Sequence, residues 1–170
     1  MKKKEKKRII SIVIPTFNEQ SNISKIINKL LNLDVLYEIE IIVVDDDSSD
    51  GTAKIVREYG RIDRRVRLIS RLGRSGLSSA IKEGCLCATG HIIAVMDADG
   101  QHDPSYIKLA LKKIELKKVD IVLGSRFAQG AIIKGLSQER KSSSSVANSL
   151  ARLSLYGSYN YLTDYMSGFF

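Results

Sequence analysis

The 170-residue chain has no tryptophan, two prolines and two cysteines. Cys85 and Cys87 lie two apart in a helix-period stretch, where they point to different sides, so a mutual disulfide is not expected. A reducing, cytosolic setting fits that usage. No apolar run approaches the roughly 20 residues of a membrane span. The basic opening is followed by a short apolar stretch broken by Ser11 and Pro15, which makes a poor signal peptide. Internal repeats and a linker marking a second domain are also missing. So are G-x-G-x-x-G and G-x-x-x-x-G-K-[ST], so a nucleotide, if bound, is held by other means. Gly73 and Gly76 in RLGRSGLSSA lack those spacings and read as a turn before a helix.

What is present is an ordinary globular composition, 44% hydrophobic and 27% charged, long enough for one real core. The net charge of +8 makes an anionic partner plausible: nucleic acid, a phosphate-bearing substrate or an acidic membrane surface. Lys2, Lys3, Lys4, Lys6, Lys7 and Arg8 form a basic tail with only Glu5 among them, which divides the chain into a tail (1–8) and one domain (9–170). Charge is the sole argument for nucleic acid. No reading motif or cluster of aromatics accompanies it, so no nucleic-acid partner is expected.

Strand-like and helix-period segments alternate. IISIVI (9–14), IEIIVV (39–44), VRLIS (66–70), HIIAVM (91–96) and VDIVLG (119–124) read as five buried strands. Between them, Ile23, Ile26, Ile27, Leu30 and Leu31 mark an amphipathic helix. Asp50 caps a second helix running to about Tyr59. Leu77, Ala80, Ile81, Gly84, Cys85 and Ala88 line a third, and Pro104 precedes a fourth carrying Ile107, Ala110, Leu111 and Ile114. Such alternation predicts an α/β fold: a mostly parallel, Rossmann-like sheet with helices on both faces. After Arg126 the regularity fades into a basic stretch (Lys134, Arg140, Lys141), a serine run (142–145) and a weak helical pattern.

In such sheets ligands bind beyond the carboxyl ends of the strands. The polar clusters sit there: Pro15–Glu19, Asp45–Ser48, Asp97–Asp99 and Gly124–Arg126. Asp-x-Asp alone carries little, since with eleven aspartates roughly one such pair arises by chance. Its place at a strand end raises its value. Asp97 and Asp99 can project the same way, and two carboxylates plus substrate phosphates suit Mg2+ or Mn2+, with the Gln101 carbonyl as a further donor. A solvated acidic turn capping the next helix is the alternative. A calcium loop fails, because positions six and twelve from Asp97 are His102 and Lys108. An aspartyl phosphatase would place its pair after the first strand. Asp46 and Glu19 could accept hydrogen bonds from a base or ribose, or cap helices. His91 and His102 have no zinc spacing; they read as a strand-entry and a surface-turn residue.

IPTFNE, VVDDDSSDGT, GLSSAIKEG, MDADGQHDP, GSRF and MSGFF occur in the order seen in family 2 glycosyltransferases, and the chain from Ile9 onward most resembles the polyprenyl-phosphate (dolichol-phosphate) mannose synthases. The resemblance implies a GT-A fold and inverting transfer of a sugar, mannose in those synthases, from a nucleotide-diphosphate sugar to a polyprenyl or dolichyl phosphate. It implies that Pro15, Phe17, Glu19, Val44 and Asp46 line the nucleoside pocket. Asp97, Ala98, Asp99 and Arg126 would complete the donor site, with Asp97, Asp99 and Gln101 on a Mg2+ or Mn2+ ion. Asp99, Arg126 and Arg140 would be catalytic, and Arg126, Arg140 and Ser144 would face the acceptor phosphate. It further implies a peripheral place on an anionic membrane surface, at its cytoplasmic face. Two departures stand out. Asp164-Tyr165-Met166-Ser167-Gly168 replaces the family's Asp-Pro-Met-Ser-Gly, and the chain stops at Phe170, where relatives continue, so a C-terminally truncated domain is expected. The alternatives are an inactive remnant that binds nucleotide sugar, or a transferase using UDP-glucose or another donor.

Overall fold

The computed structural model of the chain describes residues 8–73, 76–100, 102–117, 119–125 and 170. The elements are β1 (Ile9–Thr16), α1 (Gln20–Leu31), β2 (Glu38–Asp45), α2 (Thr52–Ile62), β3 (Val66–Ser70), α3 (Leu77–Cys87), β4 (Ile92–Val95) and α4 (Ser105–Lys117). The strands form one sheet in the order β3-β2-β1-β4, with every neighbour parallel. This is the predicted doubly covered α/β sheet. Ile10, Ile12 and Ile14 of β1 and Ile39, Ile41 and Val43 of β2 pack with Ile23, Ile27 and Leu30 of α1, Val56 of α2, and Ile107 and Leu111 of α4. The intervening residues Val13, Ile42 and Val44 pack with Ala80 of α3 on the other face. Burial of each such aliphatic side chain stabilises by about 1.5–3 kcal/mol. Leu77, predicted on the inner face of α3, is instead largely exposed at its first turn. Among the described residues no helix is long and apolar enough to cross a membrane.

The predicted fifth strand is not formed: 119–124 carries no ladder, and Ile121 is 72% exposed. A β-rich sequence becomes a strand only where an edge can take its backbone groups. On the outer edge of β4, Val95 already exchanges both backbone hydrogen bonds with Phe170.

Pro15 sits in a central strand, where a missing donor should be costly. The register removes the cost. Ile9 and Val13 accept from His91 and Met96 N–H, so alternate residues of β1 face β4, whereas Thr16 O accepts from Asp46 N–H on the β2 side. Pro15 shares the orientation of Val13, and pairing with β4 ends at Val13↔Val95. Its absent N–H therefore falls where the two strands part.

At the other end of the α3 face, Ser11 and Glu40 are opposite each other in register, and Glu40 is only 9% exposed. The turn after α3 crosses the sheet there and brings N–H groups that need acceptors. Thr89 N–H and its hydroxyl donate to Glu40 Oε2 (2.9 and 3.0 Å), Gly90 N–H donates to Ser11 Oγ (2.8 Å), and Ser11 Oγ donates to Glu40. Arg67 Nη1 reaches Glu40 Oε1 at 2.6 Å. A Cβ on Gly90 would lie 2.6 Å from Ser11 Oγ and 2.7 Å from its backbone nitrogen, so only glycine lets the turn lie this close. Burial pushes the Glu40 carboxyl up, but the donors from Ser11, Thr89 and Arg67 outweigh it and hold it below the ordinary glutamate value. A depressed carboxyl stabilises the fold above the unfolded-state value and loses that contribution as pH falls through the folded-state value. Glu40→Gln is expected to destabilise by about 2 kcal/mol at pH 7 in urea unfolding, with the deficit shrinking below about pH 4. A deficit independent of pH would mean that the carboxylate charge contributes nothing.

Candidate active site

The first two loops at the carboxyl edge are fastened to each other. Asn18, at φ +56°, donates its N–H to Ser48 Oγ (2.8 Å), and its side-chain oxygen accepts from Ser49 N–H (3.0 Å). Glu19 N–H donates to Thr52 Oγ1 (2.9 Å). Asp50 serves two helices: Oδ2 accepts from Gln20 N–H at the start of α1 and Oδ1 from Thr52 N–H at the start of α2 (2.9 and 3.0 Å). Burial opposes ionisation of Asp50, but the Thr52 hydroxyl and those two N–H groups prevail and hold its carboxyl below the usual aspartate value. Gly51, at φ +96°, holds the N-cap position of α2, so Asp50, read as the cap, stands one residue before it and reaches α1 as well. On the resulting platform Phe17 is 40% exposed, and Glu19 is half-buried with Oε2 accepting from Asn22 Nδ2 (2.9 Å). Pro15 and Val44 are buried beneath it, paired in register.

Each aspartate of the triplet has its own partners. Asp45 accepts from Ser48 N–H (3.1 Å) and the Thr16 hydroxyl (3.3 Å) and closes the turn. Asp46 Oδ1 lies 2.9 Å from Arg71 Nη1, and its Oδ2 accepts from the N–H of Gly76, the N-cap residue of α3 (3.0 Å). Asp47, at φ +62°, accepts from Gly73 N–H (3.3 Å). The β3–α3 loop is therefore laid over the β2–α2 loop by N–H groups donated to carboxylates. Gly76, at φ +89°, adopts a backbone closed to other residues at little cost, so RLGRSG is more than a turn before a helix.

Sequence reasoning missed Arg71. Its side chain is 8% exposed, and besides Asp46 it meets Glu83 Oε2 (3.1 Å) and Ser79 Oγ (2.7 Å). The signal was in the register. Asp45 pairs with Ser70, which sets Arg71 beside Asp46 at adjacent strand ends. A buried guanidinium so held fixes the Asp46 carboxylate in one orientation and offsets the repulsion of neighbouring acids.

Beyond the β1–β4 parting, Asp97 is half-buried, Ala98 is packed into the core and Asp99 is exposed. Ala98 anchors the loop, so the carboxylates on either side stay at the sheet edge. His102, predicted as a surface turn, approaches Asp97: Nδ1 accepts from the Asp97 N–H (3.4 Å) and lies 4.0 Å from Asp97 Oδ2. The two contacts belong to different protonation states of the ring. Among the described residues no three His, Cys, Asp or Glu side chains converge to hold a metal. Two carboxylates with open positions left for phosphate oxygens are an oxygen-donor set of the kind that Mg2+ and Mn2+ accept. Gln101, Arg126, Arg140 and Ser144 lie outside the described residues.

A protein-family model described as glycosyl transferase family 2 matches residues 11–170. The chain is 35% identical over 161 residues to a dolichol-phosphate mannosyltransferase of Pyrococcus furiosus, covering 95% of this chain and 45% of that protein. It is 34% identical over 164 residues to the dolichol-phosphate mannosyltransferase of Saccharomyces cerevisiae, covering 94% and 59%. The chain thus spans about half the length of these curated relatives. Among solved structures, a mannosyltransferase of Pyrobaculum calidifontis in complex with GDP-Man and Mn2+ superposes with a TM-score of 0.55 at 26% identity, over 65% of this chain and 33% of that one. TarS of S. aureus superposes with a TM-score of 0.60 at 25% identity, over 76% and 38%.

Proposed function

The chain belongs to glycosyl transferase family 2, with an α/β fold of the GT-A type, and from that premise we propose that it transfers a sugar, mannose first among candidates, from a nucleotide-diphosphate donor to a polyprenyl or dolichyl phosphate. The observation that carries this reading is the convergence of the fastened platform, the Arg71-held Asp46 and the Asp97–Asp99 loop on one sheet edge. The reading treats residues 9–170 as one catalytic domain with a basic tail.

Phe17 offers a ring to a base, and Pro15 and Val44 give the pocket an apolar floor. The Asp46 carboxylate is already oriented by Arg71 and Gly76, so it loses little freedom on meeting a nucleoside donor. Glu19 is placed to do the same. Asp97 and Asp99, flanking Ala98, together with Gln101 two residues on in the sequence, would hold the divalent cation. The cation supplies stabilisation of charge developing on the diphosphate leaving group. Relatives supply its precedent, since the P. calidifontis neighbour carries Mn2+ with GDP-Man. The acceptor is a phosphate monoester, ionised at neutral pH through a second pKa of about 6, so it needs positioning by cations more than a general base. Arg126 and Arg140, with Ser144, are proposed for that task. A lipid acceptor requires a peripheral place at a membrane, proposed as its cytoplasmic face.

The reading is tested by transfer of radiolabelled mannose from GDP-mannose to polyprenyl phosphate in detergent, with Mg2+ or Mn2+, and with UDP-glucose as competing donor. Metal-dependent labelled lipid supports it. Thermal stabilisation by nucleotide sugar and metal without any labelled lipid identifies a binding remnant instead. Asp46→Ala is expected to weaken nucleoside monophosphate binding by roughly 10- to 100-fold in calorimetry, with or without metal, because a charge-assisted bond is worth about 1.5–3 kcal/mol. Unchanged affinity would remove Asp46 from the pocket.

A further inference from the structure

Helix α4 buries Ile107 and Leu111 in the core, yet a second apolar row runs along its opposite side. Tyr106, Leu109 and Leu116 are 48%, 56% and 71% exposed. Steps of three and seven place them on one line, with exposed Lys113 in the same line and exposed Lys112 flanking it. A side turned to water is ordinarily polar all along; this one alternates apolar and basic groups. The nearby acids face elsewhere. Glu115 Oε1 accepts from the Tyr37 hydroxyl (2.7 Å), and Asp34 takes Lys108 Nζ (3.1 Å). Among the described residues neither Lys112 nor Lys113 forms an ion pair, so their charge is uncompensated.

We propose that this outer side of α4 docks on an anionic lipid bilayer. Leucines and a tyrosine ring suit the boundary between headgroups and acyl chains, while lysine stems reach back to the phosphates. A second copy of the chain is the poorer fit, because two such basic faces repel each other. The placement has a purpose under the lipid-phosphate reading above, on which this part rests. Ser105 opens α4 a short loop after Asp99, and Asp103 Oδ1 accepts from Ser105 N–H (3.0 Å), so docking of α4 sets the Asp97–Asp99 loop at the height of lipid phosphates.

The test is co-sedimentation of the full chain with vesicles of phosphatidylcholine, with and without phosphatidylglycerol. Wild type is expected to pellet with the anionic vesicles at low salt. Leu109→Glu combined with Leu116→Glu is expected to lower the partition at least tenfold. Lys112→Gln with Lys113→Gln should lower it about fivefold per lysine, and less as salt rises. All four side chains point outward, so thermal melts should match wild type and exclude misfolding as the cause. Variants that pellet like wild type overturn the proposal and assign any attraction to another segment, such as the basic tail. Failure of wild type to bind either vesicle overturns it too, as does a dimer by light scattering that the leucine variant splits without changing vesicle binding. Transfer to a short, water-soluble prenyl phosphate should be untouched by the leucine variant. Absence of that transfer in wild type counts against the lipid-phosphate reading and leaves the vesicle result to stand by itself.

Discussion

Asp99→Asn protein is expected to bind nucleotide diphosphate no better with Mn2+ or Mg2+ than without. Two carboxylates are all that the described part of the Asp97–Asp99 loop offers a cation, since no third His, Cys, Asp or Glu converges there. Halving the anionic ligand set removes attraction for the ion and, with it, the bridge to the phosphates. Loss of an outer hydrogen-bond partner in metal sites already costs 10–100-fold in affinity, so loss of a direct ligand should exceed about 100-fold. Metal-free nucleoside binding should persist, because Asp46 and Phe17 belong to other loops. The measurement is the metal-dependent thermal shift with GDP, which for wild type at 100 times the dissociation constant corresponds to about 2.7 kcal/mol. A full shift in the variant would move the cation away from this loop. Asp97→Asn should behave alike, with an added effect on the contact with His102.

Gly84→Val should leave little folded protein. Gly84 is buried in α3 where the helix crosses the centre of the sheet. A Cβ there would overlap Val13 Cγ1 outright and lie 2.9 Å from Val44 Cγ2. Both valines are fully buried and flanked by other strands, so the helix must move instead. Overpacking of this kind costs about 1–3 kcal/mol for one methyl and more for a branched side chain. Gly84→Ala is therefore expected to destabilise by at least 1 kcal/mol in urea unfolding, although alanine favours a helix by about 1 kcal/mol. The damage should reach the site, because α3 carries Ser79 and Glu83, which clamp Arg71. Nucleoside affinity should fall together with stability. A more stable Gly84→Ala protein would show that α3 does not sit this close.

Periodicity made most of the scaffold legible. The apolar positions of α1 and the β-branched runs of β1, β2 and β4 are dictated by local pattern, and they folded as read. β1 and β2 ran longer than their apolar runs, because Glu38, Asp45 and Thr16 stay in the ladder although they are polar, whereas β4 ran shorter, 92–95 against 91–96. The run 119–124 failed for the opposite reason: its pattern is right, but a strand is a property of two chains, and Phe170 holds the place at Val95. Arg71 and Glu40 were invisible for a related cause. Their roles depend on which residues stand opposite in neighbouring strands, and register is tertiary information. Asp46 was legible as a polar residue at the right edge. That it is already engaged by Arg71 and Gly76 was not.

Pro15 gives the molecule a fixed opening at no cost in lost ladder bonds. Any other residue there could donate to Met96 O and begin zipping β1 to the segment that now departs toward Asp97. The missing hydrogen acts as a stop on a zipper. A sheet optimised only for stability would close further and draw the two carboxylates inward, against their neighbours. The chain instead trades one potential bond for a gap between strands, an exchange in which an open edge is kept at the expense of the most stable structure available.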